Sequence, residues 1–147
     1  MSVAIDANIL LYASDDASPR QPSARALLED LASGPDLVYL FWPVVMAYLR
    51  IATHPGVFRS PLDPATARAN VADLIRRPHV RCPGEGDGFW ALFEATVEPD
   101  VVRGNLVTDA HIATLMRQHG VATIWTADRD FRRFPGITSR DPYAGES

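Results

Sequence analysis

The 147-residue chain contains no lysine: all 14 of its basic side chains are arginine. A phosphate-binding loop of the GK[ST] type is excluded, because that loop needs the lysine on the phosphates. Cysteine occurs once, at Cys82. This excludes an internal disulfide framework and a cysteine-ligated zinc site, and a lone thiol fits a reducing, cytoplasmic setting. Long apolar runs are missing too. No stretch approaches the roughly 18 uncharged residues of a membrane span, and residues 1–6 have neither the basic start nor the apolar run of a secretory signal. An excess of positive charge is also absent. Eighteen acidic residues give a net charge of -4 and a pI near 5.5. A general pull on nucleic acid is therefore lacking, and direct DNA binding by this chain is not expected.

What is present describes one globular domain. Hydrophobic residues make up 47% and charged residues 22%, too apolar a mixture for disorder. Residues 1–141 read as that domain and 142–147 as a flexible C-terminal tail. Short apolar runs at residues 3–5, 37–41, 79–82 and 121–125 read as buried strands. Between them, helices are expected at 23–31, 43–53, 64–77, 89–97 and 106–119. Pro43 and Pro64 suit first helical turns, and Gly120 suits the position just past a helix end. Residues 14–22 read as turns and 84–88 as a loop. Strands alternating with helices predict an α/β fold, with a mostly parallel central sheet covered on both faces as a three-layer α/β/α sandwich. In such sheets ligands bind beyond the carboxyl ends of the strands.

Two of the strands end in carboxylates. Asp6 follows the first and Asp128 follows the run at 121–125. Each also fits a local role, as a cap or an Asx turn. Asp109 belongs to a helix in which steps of three and four reach Ile112, Ala113 and Met116, an apolar stripe. A carboxylate on that stripe needs a cation beside it, although a first-turn aspartate also favours the positive end of a helix. Asn105 lies four residues earlier on the same face. Asp130 follows Asp128 by two, and Asn8 and Thr126 offer polar groups next to Asp6 and Asp128. Carboxylates gathered at one sheet edge repel each other without a cation. Hard oxygen donors with no cysteine suit Mg²⁺, with Mn²⁺ as a substitute, and point to phosphoryl transfer.

The remaining residues carry less. Arg50, Arg59, Arg68, Arg76, Arg77 and Arg81 outnumber Asp63 and Asp73 in their stretch. They read either as a solvated helix face or as a phosphate-binding rim, with Arg50, Arg76 and Arg77 the candidate contacts to a phosphate backbone. Gly84, Gly86 and Gly88 have GxGxG rather than GxGxxG spacing, and Glu85 and Asp87 would repel a pyrophosphate. The four histidines lack metal-ligand spacing. Trp42, Trp90 and Trp125 read as core.

The phrases at residues 5–11 (Ile-Asp-Ala-Asn-Ile-Leu-Leu), 105–113 (Asn-Leu-Val-Thr-Asp-Ala-His-Ile-Ala) and 126–131 (Thr-Ala-Asp-Arg-Asp-Phe) resemble the PIN-domain ribonucleases. Within that family they are most similar to the VapC toxins of type II toxin–antitoxin systems. The segment at 49–58 resembles one common in a VapC subgroup. The resemblance implies an α/β/α sandwich with a Mg²⁺-dependent endoribonuclease site. Asp6, Asp109 and Asp128 match its metal-binding aspartates, and Asp130 matches an often acidic assisting position. It also implies cleavage of structured RNA such as tRNA or rRNA to 5′-phosphate products, inhibition by a cognate antitoxin, and homodimerisation. One departure stands out. Ala47 occupies the position where many members carry a glutamate, and no acidic residue lies between Asp36 and Asp63. This keeps open a non-catalytic, degenerate PIN-like binding module. A small phosphatase with Asp6 as nucleophile is a weaker alternative, since Asn8 breaks its DxD pattern.

Overall fold

The computed structural model describes residues 1–145. Its centre is a five-stranded, fully parallel sheet in the order β3-β2-β1-β4-β5. The strands are β1 (Ser2–Ile5), β2 (Leu37–Tyr39), β3 (Val80–Arg81), β4 (Thr123–Trp125) and β5 (Thr138–Arg140). Six α-helices accompany them: α1 (Ala7–Ser14), α2 (Gln21–Ala32), α3 (Trp42–Ala52), α4 (Pro64–Ile75), α5 (Phe89–Val97) and α6 (Leu106–Gln118). Among the described residues no helix is long and apolar enough to cross a membrane.

The register pairs Val3 with Val38 on one side of β1 and with Thr123 on the other. The chain winds outward from β1 through β2 to β3, then returns to β4 on the opposite flank of β1. Right-handed crossovers therefore place α1–α4 on one face and α5–α6 on the other. The side chains of β2 show both faces. Val38 and Leu40 line an apolar hollow with Leu28, Leu31 and Leu74 of α2 and α4. Tyr39 and Phe41 stack on His119, just past α6. Strands buried on both faces are near-continuously apolar, which is why their runs were legible.

Several local features follow from single residues. Asp63 accepts from the Ala65 N–H and opens α4 ahead of Pro64. Gly120, with φ of 69°, takes the left-handed position that ends α6. Tyr48, fully buried on α3, shares a 2.7 Å hydrogen bond with the Ser14 hydroxyl and accepts one from the Asn70 amide at 3.1 Å. One phenol thus ties α1, α3 and α4 together.

The structure differs from the sequence reading in four places. Helix α1, Ala7–Ser14, was not among the expected helices: Asp6 caps it directly after β1. Helix α2 begins at Gln21, within the expected turn region, with Pro22 in its first turn. β5 was not anticipated: its Thr-Ser-Arg sequence is that of a solvated edge strand and carries no apolar signal. Tyr143, assigned to a flexible tail, is buried against Ile9 and Ala24. It meets Tyr12 edge-on at 5.1 Å, and the Arg20 guanidinium lies 4.8 Å from its ring centre. Glu146 and Ser147, the last residues of that expected tail, lie outside the described residues.

Candidate active site

The chain reverses its winding between β1 and β4, and a crevice opens beyond the carboxyl ends of those strands. Asp6 enters it directly from β1 and Asp128 from just past β4. Asp109 arrives from the first turn of α6. Each offers a carboxylate oxygen, and the three oxygens lie within 4.8 Å of one another. Asp6 and Asp109 are buried and Asp128 is half-buried.

The local capping roles and the convergence coexist, because a carboxylate has two oxygens. Asp6 Oδ1 accepts from the Ala7 N–H at 2.7 Å, and Asp128 Oδ1 accepts from the Asp130 N–H at 2.9 Å. The latter bond starts a short 3₁₀ helix, Arg129–Arg133. Around them runs a network built by Asn8 and Thr126. The Thr126 hydroxyl donates to Asp6 Oδ2 at 2.7 Å and accepts from the Asp128 N–H at 2.9 Å. The Asn8 amide donates to Asp6 Oδ2 and to the Thr126 hydroxyl, and its oxygen accepts from the Ala127 N–H. β1 and β4 are thereby locked together where their carboxylates leave the sheet.

Two carboxyl groups are strongly perturbed. Burial pushes Asp6 up, aided by the Asp128 charge and opposed by the bonds from Thr126, Ala7 and Asn8. Asp109 is pushed up to about 8. Burial is the first cause, then the hydrogen bond and charge of Asp128, then the charges of Asp6 and Asp130. The cation that the sequence led us to expect beside Asp109 is not an arginine: no ion pair reaches it among the described residues. Oxygens that share a Mg²⁺ at about 2.1 Å stand about 3–4 Å apart. The cluster therefore needs only a small side-chain rotation, or one intervening water, to hold such an ion. The donor set fits a hard divalent cation.

The PIN domain model matches residues 3–137. Ribonuclease VapC48 of Mycobacterium tuberculosis is 49% identical over 145 residues, covering 99% of this chain and all of the relative. The chain belongs to the VapC ribonucleases of the PIN-domain family. Ribonuclease VapC37 of the same organism is 33% identical, covering 95% of this chain and 96% of its own. The fold agrees with solved structures of low identity. VapBC2 from Rickettsia felis, bound to a DNA fragment from its promoter, superposes with a TM-score of 0.67 at 17% identity, over 95% of this chain and 98% of that one. Mycobacterium tuberculosis VapC20, described as a sarcin–ricin loop cleaving toxin, gives 0.64 at 19%, over 92% and 98%.

In this PIN domain the other predicted residues separate into groups. Asp130 is exposed and 3.7 Å from Arg133, close enough for its charge to be felt at Asp109. Asn105 is exposed where α6 begins, and its side chain makes no capping bond. Arg76 and Arg77 stand where α4 ends, three to four residues ahead of β3, at the amino edge of the sheet and opposite the carboxylates. Arg76 pairs with Asp73, and Arg77 lines a hollow with Arg25 and Glu29 of α2. They do not join the site. Arg50 lines a groove of about 460 Å³ with Ala47, Thr108 and His111, the last two on α6 beside Asp109 in sequence.

Ala47 leaves α3 without a carboxylate toward the cluster. Trp42 and Trp90, expected in the core, are 40% and 66% exposed on the outer sides of α3 and α5, while Trp125 is half-buried. Sequence reasoning also passed over Glu85. Its carboxylate is 2.6 Å from His111 Nε2. The 84–88 loop is fastened to α6 at two further points. Gln118 accepts from the Gly86 N–H and donates to the Asp87 carbonyl, and His119 Nε2 is 2.9 Å from the Gly84 carbonyl. Only the folded arrangement of α6 reveals these pairings.

The network makes a specific prediction. Thr126→Val keeps the volume but removes the hydroxyl that orients Asp6 and Asp128. Affinity for Mn²⁺ should fall about 10–100-fold, as for other groups that orient metal ligands, measured by titration calorimetry. An unchanged affinity would remove the hydroxyl from that role.

Proposed function

We propose that the chain is a metal-dependent endoribonuclease toxin that hydrolyses phosphodiester bonds in structured RNA and is held inactive by a cognate antitoxin. The observation that carries this reading is the convergence of Asp6, Asp109 and Asp128 at the strand ends, two of them buried and, among the described residues, with no basic side chain paired to them. The VapC ribonuclease relatives support the activity. The solved VapBC complexes support a protein partner, and the acidic composition leaves any operator binding to that partner.

Asp6, Asp109 and Asp128 would hold Mg²⁺ or Mn²⁺, with Asp130 at the rim assisting. The bound ion would supply Lewis acidity toward the scissile phosphate and lower the pKa of water at neutral pH. The chain's own groups do the rest. Thr126 and Asn8 fix the Asp6 carboxylate in one orientation, so little reorganisation accompanies the reaction. Burial of Asp6 and Asp109 keeps bulk water from screening the developing charge. Arg50 offers a planar donor fork to a neighbouring phosphate.

The test uses purified, antitoxin-free protein with total cellular RNA, Mg²⁺ or Mn²⁺, and an EDTA control. Discrete cuts bearing 5′-phosphate and 3′-hydroxyl ends are expected, absent with EDTA. Ends carrying a 2′,3′-cyclic phosphate would overturn attack by water. Absence of both cutting and metal binding would favour the non-catalytic binding module, for which Ala47 is the specific motive.

A further inference from the structure

The groove beside the carboxylates has features that phosphodiester hydrolysis alone does not use. Its volume, about 460 Å³, lies in the range of small-ligand sites. Ala47 forms part of its lining, so no large side chain from that turn of α3 fills it. Thr108, the residue before Asp109, forms another part, so the groove lies along the turn of α6 that carries that carboxylate. Trp42 and Met46 line it and are 40% and 56% exposed. Large apolar side chains held in water next to a reaction centre point to a ligand that covers them. Arg50 stands at the rim, exposed and without an ion pair among the described residues. On the opposite side the His111–Glu85 contact and the tethered 84–88 loop make the wall rigid before anything binds.

We propose that this groove takes one unpaired nucleobase of the RNA beside the scissile phosphate, stacked on the Trp42 indole, with Arg50 on the adjoining phosphate. The assignment rests on the ribonuclease reading and deepens it by naming what flanks the cut. Charge complementarity argues for it. Four aspartates at the crevice repel a polyanion, and the approach through the groove supplies a cation and a flat apolar surface together. Single-stranded RNA is recognised by that combination of stacking and phosphate contact. A base in a duplex has no free face to present to an indole, so the substrate must be unpaired at this position.

The test measures binding of an unstructured, fluorescein-labelled RNA heptamer in EDTA by anisotropy. Cleavage of the same RNA with Mn²⁺ is followed in parallel. Trp42→Ala should weaken binding about tenfold and Trp42→Phe should recover most of it. In cleavage the loss should appear in KM with kcat largely kept, the mark of binding energy shared by ground and transition states. Arg50→Gln should lower the salt slope by about 0.7, one phosphate contact on a single strand. Met46→Glu, an exposed change that adds a repelling charge, should weaken binding by a similar factor and serves if Trp42→Ala fails to fold. A blunt duplex of the same sequence should bind far less. Equal affinity of folded Trp42→Ala and Met46→Glu, with wild-type cleavage intact, overturns the groove assignment and leaves the nuclease standing. Equal binding of the duplex overturns the unpaired base. A dimer that becomes monomeric in Trp42→Ala, with RNA affinity kept, gives the groove to a second copy of the chain. No metal-dependent cutting of any RNA by the wild type overturns the nuclease reading itself.

Discussion

Asp109→Asn should abolish RNA cleavage and make the metal-free protein more stable. Both effects come from one carboxyl group. In the folded chain Asp109 is buried beside Asp128, within the fields of Asp6 and Asp130, and its pKa is pushed up to about 8. At pH 7 folding must therefore place a proton on a group that the unfolded chain leaves ionised. Asparagine carries no charge and needs no proton. The expected gain is about 2–4 kcal/mol, or roughly 5–15 °C in Tm for a chain of this size. Cleavage should fall by about a thousandfold, equivalent to several kcal/mol of transition-state stabilisation. Asp6→Asn separates the two effects. It should also abolish cleavage, but both Asp6 oxygens accept structural hydrogen bonds, from Ala7 N–H and from the Thr126 hydroxyl. An amide nitrogen facing either donor loses one of them, so Tm should fall by a few degrees. Thermal melts in EDTA and initial cleavage rates in Mn²⁺ read both variants. Cleavage retained by Asp109→Asn, or a lowered metal-free Tm, would refute the assignment.

The metal-free protein should become more stable as the pH falls from 8 toward 4, and a divalent cation should cancel that trend. Folded Asp109 keeps its proton up to about pH 8, whereas the unfolded carboxyl loses it near 3.8. Between these values the folded chain binds more protons than the unfolded chain. The contribution is therefore complete below the unfolded pKa and is lost as pH rises through the folded one, by up to about 1.4 kcal/mol per pH unit. Asp6, also raised, acts in the same direction. A cation competes with the proton for the same oxygens. At pH 8, Mn²⁺ at about 100 times its Kd should add about 2.7 kcal/mol. At pH 5.5 the same concentration should add little, because each unit below 8 costs up to about tenfold in affinity while one proton must leave. Calorimetry should show about one Asp109 proton released per ion bound at pH 6.5 and about half of one at pH 8. Metal affinity independent of pH would mean that the cation binds elsewhere.

The convergence of the carboxylates was legible in the sequence because it depends on residue type at strand ends. A carboxylate directly after an apolar run, as at Asp6, lies at the carboxyl edge of any parallel sheet, and Asp128 follows the same rule. Asp109 was legible because helical periodicity places it on the buried stripe. Arg76 and Arg77 were misplaced because local charge does not say which edge of the sheet a helix end reaches. The chain reverses edge with every helix, and α4 delivers its last residues to the start of β3. Trp42 and Trp90 were assigned to the core because aromatic side chains usually are buried. Their exposure depends on which faces of α3 and α5 find partners.

Taken alone, the sequence determined the α/β alternation, the family resemblance and the three carboxylates that converge, all of which rest on local pattern and composition. Tertiary structure decided how close those carboxylates come, that no arginine pairs with Asp109 among the described residues, and that Glu85 meets His111 across 26 positions. It also decided that Tyr143 packs back onto α1 and α2. These are consequences of burial and of contacts between residues far apart in the chain. Distance and desolvation set pKa values and groove shape, and neither is written in the local order of residues.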